Sequence, residues 1–126
     1  MKKIVKTARG PVPQAPYSQA IIANGFVFVS GQGPVDPQSG KLVLGDIKTQ
    51  TRLVLDNVKA ILEAAGSSLD KAVKCSVFLL DINDFAAMNE VYKTYFTQNP
   101  PARTTVQAGD MVGGIGVEID CIATLD

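Results

Sequence analysis

Arg103 and Glu118 are the two residues of this 126-residue chain whose types and surroundings most invite chemistry. The chain has three arginines and three glutamates. These two sit in segments otherwise apolar or small, Pro101-Ala102-Arg103-Thr104-Thr105-Val106 and Val117-Glu118-Ile119, joined by a glycine-rich stretch. A guanidinium is a fixed fork of donors that grips a carboxylate bidentately and sets its orientation, which a lysine ammonium does less well. A carboxylate nearby can orient a water and shuttle a proton. On strands, alternation places Arg103 and Thr105 on one face with Thr104 and Val106 on the other, and points Glu118 away from Val117, Ile119, Cys121 and Ala123. If the two strands are neighbours across the Gly109–Gly116 loop, Arg103 and Glu118 line one site. The same pair could instead be a structural salt bridge, and spacing alone favours that reading.

Composition narrows the chemistry. The chain contains no histidine, which removes Ser-His and Cys-His dyads and His-ligated zinc. Its two cysteines, Cys75 and Cys121, cannot build a four-cysteine metal site, and their apolar, strand-like surroundings read as buried free thiols in a reducing compartment. Acid–base work is left to carboxylates, tyrosines, lysines, thiols, backbone groups or water. Twelve basic and twelve acidic residues cancel, so no global field favours nucleic acid or an anionic membrane. No apolar run approaches a membrane span, and Met1–Thr7 lacks the long apolar segment of a signal peptide, so a cytoplasmic location is expected. Gly31-Gln32-Gly33 invites a nucleotide-binding reading. Pro34, Asp36 and Pro37 break the turn and the following helix that reading requires.

The elements that must position these residues follow from periodicity. A short strand over Lys2–Lys6 leads into a proline-rich extended segment, Thr7–Pro16. Ala20-Ile21-Ile22-Ala23 and Phe26–Ser30 flank Asn24-Gly25, the signal for a type I′ hairpin. Asp46 caps a helix that ends at Gly66, with Ile47, Val54, Leu55, Val58, Ile61, Leu62 and Ala65 as its apolar stripe. Asp70–Asp81 reads as a strand with Val73, Cys75, Val77 and Leu79 on one face and Ala72, Lys74, Ser76, Phe78 and Leu80 on the other. Asn83 is expected to cap a second helix running to about Thr97, with Phe85, Met88, Tyr92 and Phe96 buried. Arg103–Ala108 and Val117–Leu125 complete an α+β domain spanning residues 1–126, with about six strands and two helices on one face of the sheet. Several strands are apolar on both faces while two helices cover only one, so a homo-oligomer packing sheet faces together is expected.

The Pro101–Val106 motif, Gly109, Met111 and Val117-Glu118-Ile119 resemble the signature of the RidA (YjgF) family. The likeness runs over nearly the whole chain, through Ala15-Pro16-Tyr17-Ser18-Gln19-Ala20, Ser30-Gly31-Gln32, Leu55-Asp56-Asn57-Val58, Val77-Phe78-Leu79, and Asp84-Phe85 with Asn89 and Tyr92. The resemblance implies a chorismate-mutase-like fold assembled as a homotrimer with ligand clefts between subunits. It implies enamine/imine deaminase activity on 2-aminoacrylate and related 2-imino acids, giving a 2-keto acid and ammonia without metal or organic cofactor. Pyridoxal-phosphate-dependent dehydratases acting on serine or threonine would be its functional partners. Carried onto this chain, Arg103 clamps the substrate carboxylate and Glu118 holds and activates the attacking water. Tyr17 lines the cleft, Ser30 and the Gly31 backbone supply polar contacts, Asn89 reaches a neighbouring subunit's cleft, and Thr104 and Thr105 join Arg103 in binding substrate.

Two positions depart from the family pattern. Thr105 stands where many members carry cysteine; it can form a hydrogen bond but cannot be a thiolate. Val112-Gly113-Gly114-Ile115-Gly116 is richer in glycine and less charged than the usual loop. Beside the enzyme stands a non-catalytic alternative, a regulatory protein that binds keto or imino acids in the same clefts. Chaperone-like and ribonuclease activities are also associated with the family, and the neutral charge and missing histidine favour the nuclease least.

Overall fold

The structure is a computed structural model that describes residues 1–126. Its strands are β1 (Lys3–Val5), β2 (Ala20–Ala23), β3 (Phe26–Gln32), β4 (Ala72–Leu79), β5 (Ala102–Gln107) and β6 (Val117–Thr124). The helices are α1 (Ile47–Ala64) and α2 (Phe85–Tyr95). They form an α+β fold with one six-stranded sheet in the order β1-β2-β3-β6-β4-β5. Every pair is antiparallel except β4 and β5, which run parallel and are joined through α2, the long crossover that parallel pairing demands.

Local sequence explains the turns and caps. Asn24 and Gly25 both have positive φ, 52° and 79°, as a type I′ hairpin requires, and they register Ala23 against Phe26. Asp46 accepts a hydrogen bond from the Thr49 amide at 2.8 Å, capping α1, and Gly66 takes the left-handed conformation just beyond its end. Val54, Leu55, Val58, Ile61 and Leu62 are fully buried, in one apolar cluster with Val27, Val29, Val77, Ile119 and Cys121 of the sheet. Each such side chain stabilises the fold by about 1.5–3 kcal/mol relative to exposure. α2 lies beside α1 and buries Met88, Val91 and Tyr92. Both helices therefore cover one face, leaving Phe26 and Phe28 exposed on the other.

Three expectations are corrected. Asn83 caps nothing: it sits inside a 3₁₀ turn, Ile82–Asp84, whose cap is Asp81, and α2 begins at Phe85 and ends at Tyr95. The acceptor that ends the preceding strand is one residue type as good as the next here, and tertiary placement of the turn chose Asp81. In β4 a bulge between Ala72 and Lys74 resets the alternation, so Ala72 joins the core and Val73 is exposed. Finally, β5 and β6 are not neighbours. The strand β4 lies between them, pairing with each.

Candidate functional site

The strand order decides where the two charged residues go. Arg103 is in register with Cys75, and Thr105 with Val77; both partners are buried under the helices. Arg103 and Thr105 therefore lie on the helix-covered face, at the free edge of the sheet. Glu118 is in register with Phe78, whose side chain projects from the open face. Within one copy of the chain Arg103 and Glu118 look out from opposite faces, and they form no ion pair with each other. The structural salt bridge that spacing favoured is absent.

Around Arg103 the helix supplies aromatic rather than acidic neighbours. The guanidinium carbon lies 4.6 Å from the centroid of the Tyr92 ring and 5.6 Å from that of Phe85. No carboxylate is within 4.0 Å of it, so its donors face no fixed anion. Asn89, four residues after Phe85 and three before Tyr92, lies on the same side of α2 and is half-buried. The Thr105 hydroxyl is buried with no hydrogen-bond partner, a group open to a ligand or a water. Thr104 separates from these residues: its side chain is on the open face, where it accepts a hydrogen bond from Lys74 Nζ at 2.7 Å.

Around Glu118 the other predicted residues gather. The register of β3 against β6 shifts between Val29 and Gln32, so Ser30 and Gly31 together oppose Asp120, two residues along β6 from Glu118. A Cβ on Gly31 would collide with Glu118 Oε2 and sit 2.9 Å from its Cδ, so only glycine lets this carboxylate rest on the β3 backbone. Ser30 donates its hydroxyl to the Ser18 carbonyl at 2.6 Å, which ties the strand to the Tyr17-Ser18 segment. Tyr17 is exposed and shares with Gly31 a cavity of about 420 Å³, walled also by Pro11, Gln14, Gln32 and Leu42. A smaller hollow of about 220 Å³ opens beside Glu118 itself, between Phe78, Ala108, Met111 and Val112.

Burial pushes the Glu118 carboxyl above the ordinary carboxylate range, and the charge of Asp120 adds to the shift. Asp120 follows two residues later on the same face and is held by the Ser76 amide, which donates to its Oδ1 at 2.9 Å. Strand alternation after Glu118 was a signal for Asp120 that sequence reasoning did not use. Two buried polar residues of α1 also support the site: Gln50, for which the sequence held no signal, and Asn57, which lies in the Leu55–Val58 likeness without an expected role. The Gln50 side chain accepts from the Gly116 amide at 2.8 Å and donates to the Gly45 carbonyl at 2.9 Å, pinning the end of the glycine-rich loop. Asn57 donates to the Val35 carbonyl at 2.8 Å and anchors the loop after β3. Cys75 and Cys121 are buried free thiols directly opposite each other on β4 and β6.

Chemically, this is a guanidinium without an acidic partner on one face and a carboxylate of raised pKa on the other, each with its own polar surroundings. Residues 7–125 match the family described as Endoribonuclease L-PSP. The chain is 52% identical to a RutC family protein of Pyrococcus horikoshii, over 98% of each chain. It is 42% identical to the 2-iminobutanoate/2-iminopropanoate deaminase of Bos taurus, over 98% of this chain and 90% of that one. E. coli TdcF with bound serine superposes with a TM-score of 0.92 at 43% identity, covering 97% of this chain and 98% of that one. A match that spans nearly the whole chain at this identity leaves one assignment: the chain belongs to the RidA (YjgF) family.

Proposed function

We propose that this protein is an enamine/imine deaminase, a hydrolase acting on the C=N bond of 2-iminobutanoate, 2-iminopropanoate and its enamine tautomer 2-aminoacrylate. The relatives named for that reaction support it, and so does the serine bound by TdcF, an amino acid with the same carboxylate and α-nitrogen. The observation on this chain that carries the reading is the half-buried Arg103 guanidinium with no anion of its own.

Arg103 grips the substrate carboxylate and fixes the plane of the adjacent imine. Glu118 holds the water on that plane's open side. Its raised pKa brings it closer to neutrality than an ordinary carboxylate, which suits a group that must both take and return a proton. Starting from the protonated imine, it accepts a proton as water adds to C2, forming the tetrahedral aminoalcohol. It then delivers that proton to nitrogen; the C–N electron pair leaves with nitrogen, and the hydroxyl proton passes back to Glu118 as the C=O forms. The products are ammonia and the 2-keto acid. The small hollow beside Glu118, walled by Phe78, Met111 and Val112, suits the short aliphatic end of such substrates. Tyr17, Ser30 and Gly31 line the approach on the Glu118 side; Thr105 and Asn89 line it on the Arg103 side.

One small substrate cannot touch both faces of a sheet, so we propose that the working site is made by two copies, Arg103 from one and Glu118 from the next. A chorismate-mutase-like homotrimer joining the open faces fits the exposed Phe26 and Phe28 on that face. Pyridoxal-phosphate-dependent dehydratases would supply the imines, and the two buried thiols suit a cytoplasmic setting. The test is release of keto acid in a dehydratase-coupled assay. Arg103→Ala and Glu118→Gln should each lower kcat/KM by about 10²-fold or more. Near-normal turnover in both would sink the mechanism.

A further inference from the structure

We propose that Tyr92 and Phe85 are positioning residues that hold the Arg103 guanidinium ready for a carboxylate. The inference deepens the deaminase reading and rests on Arg103 being the carboxylate clamp. Arg103 projects from β5, the last strand of the sheet, and within its own chain the aromatic residues of α2 lie against it. A free arginine side chain has several rotatable bonds, and ordering it on ligand binding costs affinity. A fixed carboxylate would order it in advance but would occupy the fork and neutralise it. An aromatic face attracts the cation through its quadrupole and leaves the in-plane N–H groups unoccupied.

The helix is built to present such faces. Phe85 and Tyr92 are seven residues apart, two turns, so their side chains project on the same side of α2. Their rings stand 5.6 Å and 4.6 Å from the guanidinium carbon. The nearer ring is the more firmly set. Tyr92 is 6% exposed, and its ring packs 4.7 Å from that of Phe96. Phe85, by contrast, is 40% exposed at the start of the helix and lies outside the core cluster, with its ring toward Arg103. The Tyr92 hydroxyl is buried beside the Cys75 thiol, and it is the ring face that lies under Arg103.

The test compares Tyr92→Phe, Tyr92→Leu and Phe85→Leu with Arg103→Ala, measuring steady-state kinetics and calorimetric binding of 2-ketobutyrate, the reaction product. Tyr92→Phe keeps the ring and is expected to bind the keto acid like the parent. Tyr92→Leu should weaken keto-acid binding and raise KM by roughly 10-fold, and Phe85→Leu by a smaller factor, each with a lesser change in kcat. Added to Arg103→Ala, neither leucine variant should weaken binding further, since the group they position is gone. Phe85 is exposed, so its variant reports even if Tyr92→Leu does not fold. If Arg103→Ala loses keto-acid binding while the folded leucine variants keep it, the positioning role is overturned and the clamp stands. If Arg103→Ala itself binds the keto acid normally, the clamp is wrong and the positioning role falls with it.

Discussion

Glu118 is where one residue's surroundings set the chemistry. It is half-buried on the open face with Asp120 two positions along, and both burial and that neighbouring charge disfavour its ionised form. As the base that accepts water's proton it must be ionised, so the acidic limb of kcat/KM should lie above the ordinary carboxylate value of 4.5. Asp120→Asn removes the like charge and leaves burial, and its amide oxygen can still accept from Ser76, so the limb should move to lower pH. A pH–rate profile of the two proteins checks this, and an unmoved limb would assign the whole shift to burial. The sign for stability follows from the same direction. A raised folded-state pKa means the contribution is present below the unfolded pKa and lost as pH rises through the folded one. Glu118→Gln should therefore flatten that part of the pH dependence of unfolding. None of this was readable from Glu118 alone: its type named a proton carrier, while its exposure and neighbours came from the fold.

At the level of elements, the bulge in β3 matters most. Two residues, Ser30 and Gly31, occupy the place where the pairing with β6 shifts, and this brings a glycine backbone against the Glu118 carboxylate. Gly31→Ala places a methyl where Oε2 now sits, so the carboxylate must swing away. The expected result is a loss of turnover of about 10²-fold with KM little changed, and little loss of stability, since the clashing atoms end a flexible side chain. Kinetics and thermal unfolding measure the two effects separately. The turns and caps around this bulge were legible because they are local. Asn24-Gly25 demands positive φ at both positions, and Asp46 has a carboxylate at the one place where a helix has spare amides. The bulges in β3 and β4 were not legible, because a bulge is a property of two strands and the signal in either one is an ordinary alternation.

For the whole molecule, Arg103 and Glu118 lie on opposite faces of the sheet, so the proposed reaction requires a site made by two copies. If each site takes Arg103 from one subunit and Glu118 from the next, two inactive variants should rescue one another. Arg103→Ala and Glu118→Gln, co-expressed and purified as mixed oligomers, should regain about one quarter of the parent activity, the random-mixing value for a site drawn from two subunits. Light scattering on the same samples gives the subunit number. Recovery no greater than that of either variant alone would place both residues in one copy's site and refute the shared cleft. The surplus of apolar surface pointed to an oligomer from sequence, since two helices cannot cover both faces of six strands. Which residues meet across it was beyond periodicity.

The amino-acid sequence by itself determined what depends on near neighbours along the chain. The hairpin, the capped α1, the buried stripe from Val54 to Leu62 and the split of Arg103 and Thr105 from Thr104 are set by steric and hydrogen-bonding rules a few residues long. Family likeness in Pro101–Val106 and Val117–Ile119 pointed to the reaction as well. Only the tertiary structure decided that β4 runs between β5 and β6, because strand order is fixed by which distant segments best share backbone hydrogen bonds and a common core. That insertion, with the registers on either side of β4, puts the two residues on opposite faces of the sheet. It also left Arg103 beside two aromatic rings instead of an acid, which is why its charge is free to meet a substrate.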